Sequence, residues 1–229
     1  MVTRPGWATA MAEFAVDVVY PKRCATCRLR GAWVCDDCLA SSPVFTQPWC
    51  LRCGAPVPAR PCSCAALPTS VGRLRSVGTY EGWLGDAIRR FKYDGEWARK
   101  QHLGASLARL VATEVPSRAL LVPVPIHRAR LRERGYNQAA LLAAVASAQT
   151  GLPCADALTR TRDTPHQVGL GQTGRLANVR DAFVAQADVS GRFVVLVDDV
   201  ATTGATLGAC ADALRAAGAA DVWAVTLAR

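Results

Sequence analysis

The sequence has little lysine. Of its 27 lysines and arginines only three are lysine: Lys22, Lys92 and Lys100. None follows Lys100, so the chain has neither the Gly-Lys-Ser/Thr loop of a P-loop nucleotide site nor the late lysine of a phosphorelay receiver. Long apolar runs are also missing. The longest stretch, Ala139–Ala148, falls far short of the ~20 residues needed to span a bilayer. The first twenty residues carry no secretion signal, because Glu13 and Asp17 interrupt the apolar pattern and no small-residue cleavage site follows. Trp7, Met11, Phe14, Ala15 and Val18 recur there at helical spacing, which suits a packing helix rather than an anchor. Aromatics are sparse, and between residues 125 and 180 only Tyr136 is available to stack on a base. These absences argue against membrane insertion and point to a cytoplasmic protein.

What remains is a chain of 229 residues, 51% of them hydrophobic, enough for one ordinary domain and a small second one. The net charge of +9 suits polyphosphate ligands or nucleic acid, and equally a generally basic surface.

Cysteine is abundant, but only in one place. Eight of the ten cysteines lie between residues 24 and 64, as Cys24/Cys27, Cys35/Cys38, Cys50/Cys53 and Cys62/Cys64. Paired cysteines on a tight turn bring two sulfurs to one metal, and four thiolates complete a tetrahedral zinc shell. Disulfides are disfavoured where thiols stay reduced. Iron–sulfur ligation remains the other metal reading. One or two structural zinc ions are expected, and no open coordination position is left for catalysis. Sequential pairing would join Cys24, Cys27, Cys35 and Cys38, then Cys50, Cys53, Cys62 and Cys64. An interleaved scheme stays open, and the single residue between Cys62 and Cys64 makes the second site the less regular one. Cys154 and Cys210 stand apart and read as buried filler.

The remainder is organised around Phe193–Leu207. Phe193 to Val197 is a β-branched, apolar run that reads as a strand buried on both faces. Asp198 and Asp199 follow, then Val200, Ala201, Thr202, Thr203, Gly204, Ala205 and Thr206, and then an Ala/Leu helix from Leu207 to Ala217. A strand, a tight loop and a helix N-terminus offer unpaired N–H groups to a phosphate. The acid pair suits sugar hydroxyls, or a magnesium ion that itself carries phosphates.

Around this unit the pattern reads as α/β. Residues 65–70 look like a domain boundary, giving domains 1–66 and 67–229. Strands are expected at Arg73–Tyr80, Ala119–Val124 and Val222–Ala228, and helices at Trp83–Phe91, Glu96–Val115 and from Asn137 to about Gln149. After the strand ending at Val124 come His127 and the arginines Arg128, Arg132 and Arg134, which read as anion contacts or as a solvated helix start. Residues 160–183 form a long glycine-bearing polar stretch, the pattern of a lid, carrying Arg162, Gln167, Arg175 and Asn178. The strand-end aspartates are expected to lack a buried structural partner.

Val194–Thr206 resembles the phosphoribosyl-pyrophosphate (PRPP) motif of type I phosphoribosyltransferases. That resemblance implies that Asp198 and Asp199 hold the ribose hydroxyls and that the loop 200–206 cradles the 5′-phosphate, with magnesium accompanying PRPP. It also implies that Arg128, Arg132 and Arg134 contact the pyrophosphate half, that His127 is a candidate proton donor to the leaving group, and that a loop closing over the ligand delivers Arg162, Gln167, Arg175 and Asn178. The catalytic group would then be Asp198, Asp199 and Arg128. More of the chain is similar to the competence protein F (ComF/GntX) family. The carriers are the cysteine pairs, Ile88–Gly95, Pro123–Gln138 and Arg175–Phe183. The resemblance implies a type I phosphoribosyltransferase fold with a mostly parallel sheet, preceded by a double zinc ribbon. It further implies a link to DNA uptake, with single-stranded DNA and a competence helicase as partners. Two readings follow: a phosphoribosyltransferase acting on an unknown acceptor, or a non-catalytic DNA-uptake scaffold that keeps the fold as a phosphate platform. As the last strand closes the sequence, a hood over the acceptor is expected from residues 71–100 or from the ribbon.

Overall fold

The structure, a computed structural model, describes residues 21–40, 49–56, 62, 64, 67–94, 96–162 and 182–229. The helix expected in the first twenty residues and most of the stretch expected to form a lid, with Gln167, Arg175 and Asn178, lie outside the described residues.

Apolar β-branched runs build four parallel strands. β1 (Leu74–Gly78), β2 (Leu120–Pro123), β5 (Phe193–Val200) and β6 (Asp221–Ala228) stand in the order β1-β6-β5-β2. Leu120 pairs with Val194 and Phe193 with Asp221, so the strands end together at one edge. Parallel strands need crossover helices, and these cover both faces. Val195 and Val197 face a core shared with α2 (Gly82–Tyr93), α3 (Lys100–Glu114) and α5 (Gln138–Thr150). Val194 and Leu196, one residue out of phase, pack with α6 (Ala205–Ala216) and a small antiparallel pair, β3 (Leu158–Arg160) and β4 (Phe183–Ala185). Three-residue strands carry too little periodicity to be read from sequence, and this pair was not anticipated.

Other departures have local causes. The helix expected from Glu96 begins as a tight turn, Trp97–Arg99, before α3. That turn carries Arg99 inward, where its guanidinium donates to the carbonyls of Trp33 and Arg23 at 3.0 and 2.9 Å. Arg128–Arg134 is a short helix of its own, α4, ended by Gly135 in the left-handed region at φ 79°. Cys154 is exposed rather than buried, because residues 153–155 run along the free edge of β2 and hydrogen-bond to Leu121. Cys210, on α6, is buried as expected. Leu67–Ser70 is no free linker: Leu67 is buried in the core against α6.

The short helix α1 (Asp36–Ala40) belongs to the first cysteine region, whose Ala25 and Val34 join the α2 face. Cys53 of the second region joins the α6 face instead. The two cysteine regions thus clasp the sheet from opposite sides. β1, an edge strand, is capped by the second region, with Leu74 N–H donating to the Arg52 carbonyl at 2.8 Å. Among the described residues no helix is long and apolar enough to cross a membrane.

The helices α3 and α5 meet where Gly104 faces Val145, and a methyl group on Gly104 would stand 2.6 Å from the valine's Cβ and Cγ1. Gly104→Ala is therefore expected to cost about 1–3 kcal/mol by overpacking, read as a lower denaturation midpoint. An unchanged midpoint would show that the two helices have room to part.

Candidate functional site

Both cysteine groups close as sequential sets of four. The sulfurs of Cys24, Cys27, Cys35 and Cys38 lie within 4.8 Å of one another, and so do those of Cys50, Cys53, Cys62 and Cys64. This arrangement decides against interleaving. Burial opposes ionisation of Cys24, but the backbone N–H groups of Cys35, Cys27 and Thr26 outweigh it and draw the thiol down to about 6. Its neighbour Cys38 is pushed up to about 12, chiefly by Cys35. In the second cluster Cys64 is likewise pushed up to about 12, chiefly by Cys62. Four sulfurs this close cannot all ionise alone, and a divalent cation removes the conflict. The donor set fits zinc in two closed, structural sites.

The second constellation sits at the carboxyl ends of the parallel strands, where open α/β sheets bind ligands. Asp198 and Asp199 are the sixth and seventh residues of β5, so the strand runs further than its apolar part. Strand alternation sends them to opposite faces. Asp199, 7% exposed, turns to the α2 face and meets Lys92 of the last turn of α2, Nζ to Oδ1 2.7 Å. Asp198 turns to the α6 face, and its Oδ1 accepts the Asp199 N–H at 2.8 Å. Burial and the Asp199 charge, against the pull of Lys92, carry the Asp198 carboxyl from 3.8 up to about 7. Burial disfavours charge on Lys92, but Asp199 overcomes it and raises the ammonium's pKa. The thiol of buried Cys210 is driven well up, first by burial and then by Asp198.

Past Val200 the chain turns in four residues. Ala201 N–H donates to the carbonyl of Ala228 at 2.9 Å, pinning the turn to the end of β6. Gly204 caps α6 in the left-handed region at φ 72°, which a side chain would strain. Thr203 Oγ1 accepts from Ala205 N–H at 3.4 Å, while Thr202 is exposed and Thr206 half-buried at the helix start. The first amides of α6, with its positive dipole end, face outward from this turn, a geometry suited to a phosphate.

The β2 end supplies the other flank. Asn137 caps α5, accepting from Ala139 N–H at 3.1 Å and donating to the Val124 carbonyl at 3.1 Å, so helix and strand end are tied. His127 caps α4, its Nδ1 accepting from Ala129 N–H at 3.3 Å. Arg128 and Arg132 are exposed on α4, while Arg134 is half-buried over the Tyr93 ring, 5.1 Å from its centroid. Arg162 is exposed at the end of the β3 segment. Two buried polar atoms without a partner lie on the segments that border this rim, Thr79 Oγ1 after β1 and Gln138 Nε2 at the start of α5.

Lys92 was not singled out as a site residue from the sequence. Its signal was present, as one of three lysines, placed beside an apolar helix end, but only the fold brings it to Asp199. The expectation that the aspartates lack a buried partner is therefore corrected for Asp199.

Comparison with known proteins agrees with this geometry. Residues 104–229 match the phosphoribosyl transferase domain, and residues 15–68 match the double zinc ribbon domain. The DNA utilization protein YhgH of Escherichia coli K12 is 33% identical over 223 residues, spanning 88% of this chain and 94% of that protein. Competence protein F of Haemophilus influenzae is 30% identical, spanning 90% and 96%. Competence protein ComFC of Bacillus subtilis is 30% identical, spanning 86% and 84%. A solved glutamine PRPP amidotransferase from B. subtilis overlaps 56% of this chain and 25% of that one, with 24% identity and a TM-score of 0.38.

Two outcomes are expected. Elemental analysis of the reduced protein should find about two zinc ions per chain, four thiolates to each; a folded, metal-free protein would contradict both sites. The second outcome concerns pH. Asp198 binds its proton more tightly folded than unfolded, so its contribution to stability falls as pH rises from about 4 to about 7. Asp198→Asn should then be more stable than the wild type at pH 8, by on the order of 2 kcal/mol, with the gap closing toward pH 4. Melting curves with the same gap at both pH values would remove Asp198 as the cause.

Proposed function

The chain belongs to the phosphoribosyl transferase domain family, with competence protein F, ComFC and YhgH among its relatives, and on that premise we propose that it binds Mg-PRPP and transfers the phosphoribosyl group. The observation that carries the proposal is the acid pair at the end of β5 leading directly into the Gly204-capped N-terminus of α6.

In this reading Asp198 and Asp199 accept hydrogen bonds from the ribose 2′- and 3′-hydroxyls. Residues 200–206 receive the 5′-phosphate through backbone N–H groups and the threonine hydroxyls. Arg128 and Arg132, exposed on α4, stabilise the charge that grows on pyrophosphate as the bond from the anomeric carbon to the leaving oxygen breaks. Magnesium bound with PRPP would be held by the carboxylates of Asp198 and Asp199, hard oxygen donors that suit it, and would supply positive charge against the leaving group. The acceptor's lone pair then forms the new bond to the anomeric carbon and its proton leaves to solvent or a base. The orphaned Thr79 Oγ1 and Gln138 Nε2 fit a polar ligand at this edge, which would supply the missing partners. Lys92, 2.7 Å from Asp199, is its counter-charge, and with α2 it is assigned the hood expected from residues 71–100. His127, engaged as a helix cap, serves by shaping the β2 flank. Arg162 stands where a covering loop would begin, and Gln167 and Arg175 are assigned to that loop. The relatives' names, DNA utilization protein and competence protein, support the further reading that this chain serves DNA uptake or use, and we assign it to the cytoplasm, where zinc thiolates stay reduced.

Calorimetry with PRPP and magnesium tests the proposal. Asp198→Asn combined with Asp199→Asn removes two charged acceptors, each worth roughly 1.5–3 kcal/mol, so affinity should fall at least about tenfold. A melting curve run alongside separates that loss from the cost of leaving Lys92 unpaired. Wild-type affinity no better than that of the double variant would sink the enzyme reading and leave a non-catalytic DNA-uptake scaffold as its replacement.

A further inference from the structure

We infer that the second cysteine cluster positions the phosphate-binding turn, acting through residues 67–70, which form a strap across the start of α6. This rests on the reading of the Gly204 turn as a phosphate site.

The strap is held at its ribbon end by Arg52, which directly precedes Cys53. Its guanidinium donates to the carbonyls of Cys64 at 2.8 Å, Leu67 at 3.1 Å and Pro68 at 3.3 Å. Three carbonyls on one fork fix both the exit of the ribbon and the path of the strap. Beyond Arg52 the strap lies hard against α6. A methyl group on Gly208 would stand 2.6 Å from Pro68 Cγ and 2.7 Å from its Cβ, and one on Gly204 would stand 3.1 Å from Pro68 Cδ. So the proline ring fills the space that two missing side chains leave, one at the cap and one a turn later. Further along, Ser70 Oγ donates to the Gly208 carbonyl at 3.3 Å, and Arg215 Nε donates to the Ser70 carbonyl at 2.7 Å. The turn itself has few ties of its own. Ala201 N–H reaches Ala228, and Thr203 makes one long bond to Ala205. Packing from Pro68 is what keeps the Gly204 cap, and with it the first amides of α6, in place.

The ribbon reaches the same turn by a second route. Arg229 donates to the Cys53 carbonyl, and it directly follows Ala228, whose own carbonyl holds Ala201. Cys53 and Cys64 both belong to the second cluster of four. Zinc bound there would therefore fix the backbone from which both routes depart. Pro68, Arg52 and Gly208 are positioning residues in this scheme; none needs to touch the ligand.

The test uses the full chain, with two bound zinc ions confirmed for each variant. In ligand-free protein, Arg52→Ala should speed amide exchange at Gly208, whose N–H donates to the Gly204 carbonyl at 2.8 Å, by about tenfold or more. Pro68→Ala and Gly208→Ala should each weaken Mg-PRPP binding about three- to tenfold. The double variant Pro68→Ala/Gly208→Ala should recover most of that loss, because the added methyl group occupies the space vacated by the ring. Unchanged exchange at Gly208 in both Arg52→Ala and Pro68→Ala would overturn the inference. So would equal PRPP affinity across the wild type and both single variants. A wild type that binds no PRPP defeats the functional reading alone, and the exchange measurement still decides the strap.

Discussion

Four thiolates within 4.8 Å of one another repel so strongly that a cation must sit among them, and much of this molecule depends on that constraint. The cysteine regions bury little apolar surface of their own, with Cys24, Ala25, Val34 and Cys53 the hydrophobic residues fully withdrawn among those described there. So small a core cannot offset the entropy of ordering the chain, and metal ligation takes its place. What the metal fixes extends past the ribbons. Their carbonyls are the acceptors for four arginines rooted in or beside the sheet domain: Arg99 on Trp33 and Arg23, Arg90 on Ala25, Arg75 on Cys50 and Leu51, and Arg229 on Cys53. Arg75 and Arg99 are 2% and 1% exposed, and a guanidinium so deeply placed needs every acceptor it has. Ribbon and sheet therefore complete each other.

A second constraint governs the cleft. Two adjacent carboxylates at a strand end cannot both stay charged in a buried setting unless something opposes them. Lys92 opposes one, at 2.7 Å from Asp199, and the other is left with its proton held to near neutrality. The cleft therefore holds one carboxylate paired with a lysine and one that titrates near neutrality. A ligand that brings hydroxyl donors or a cation favours the ionised form of Asp198 and releases its proton on binding. Strand alternation is what permits this difference, since it places the pair on opposite faces, one against α2 and the other against α6.

Much of this was legible in the sequence, and the parts that were not share a cause. The cysteine spacing, the Phe193–Val197 run, the acids and the loop to Gly204 are local patterns, and local patterns survive in one dimension. The parallel strands at β1, β2, β5 and β6 followed from apolar runs between helical stretches. The pairing of Lys92 with Asp199 did not, because 107 positions separate them and no periodicity links them. The packing of Pro68 on Gly208 was hidden for the same reason: residues 65–70 have the composition of a linker, and only tertiary contact turns them into a strap. Arg99 shows the limit from the other side. It sits in an apparently regular helix pattern, yet its burial against Trp33 forces a tight turn ahead of α3. The lid residues lie outside the described part of the chain.

The division of the two ribbons between the faces of the sheet gives each half of the cleft its own support. The first ribbon bears on α2: Thr26 donates to Asp86 at 2.9 Å, and Arg90 of α2 donates to Ala25 at 2.8 Å, two residues before Lys92. Its contacts thus end within one helical turn of Lys92, the partner of Asp199. The second ribbon bears on α6 through Pro68 and caps the β1 edge through Arg52, so its contacts end at the Gly204 turn. The second ribbon also touches the α2-face core, through Trp49, so it meets both faces of the sheet.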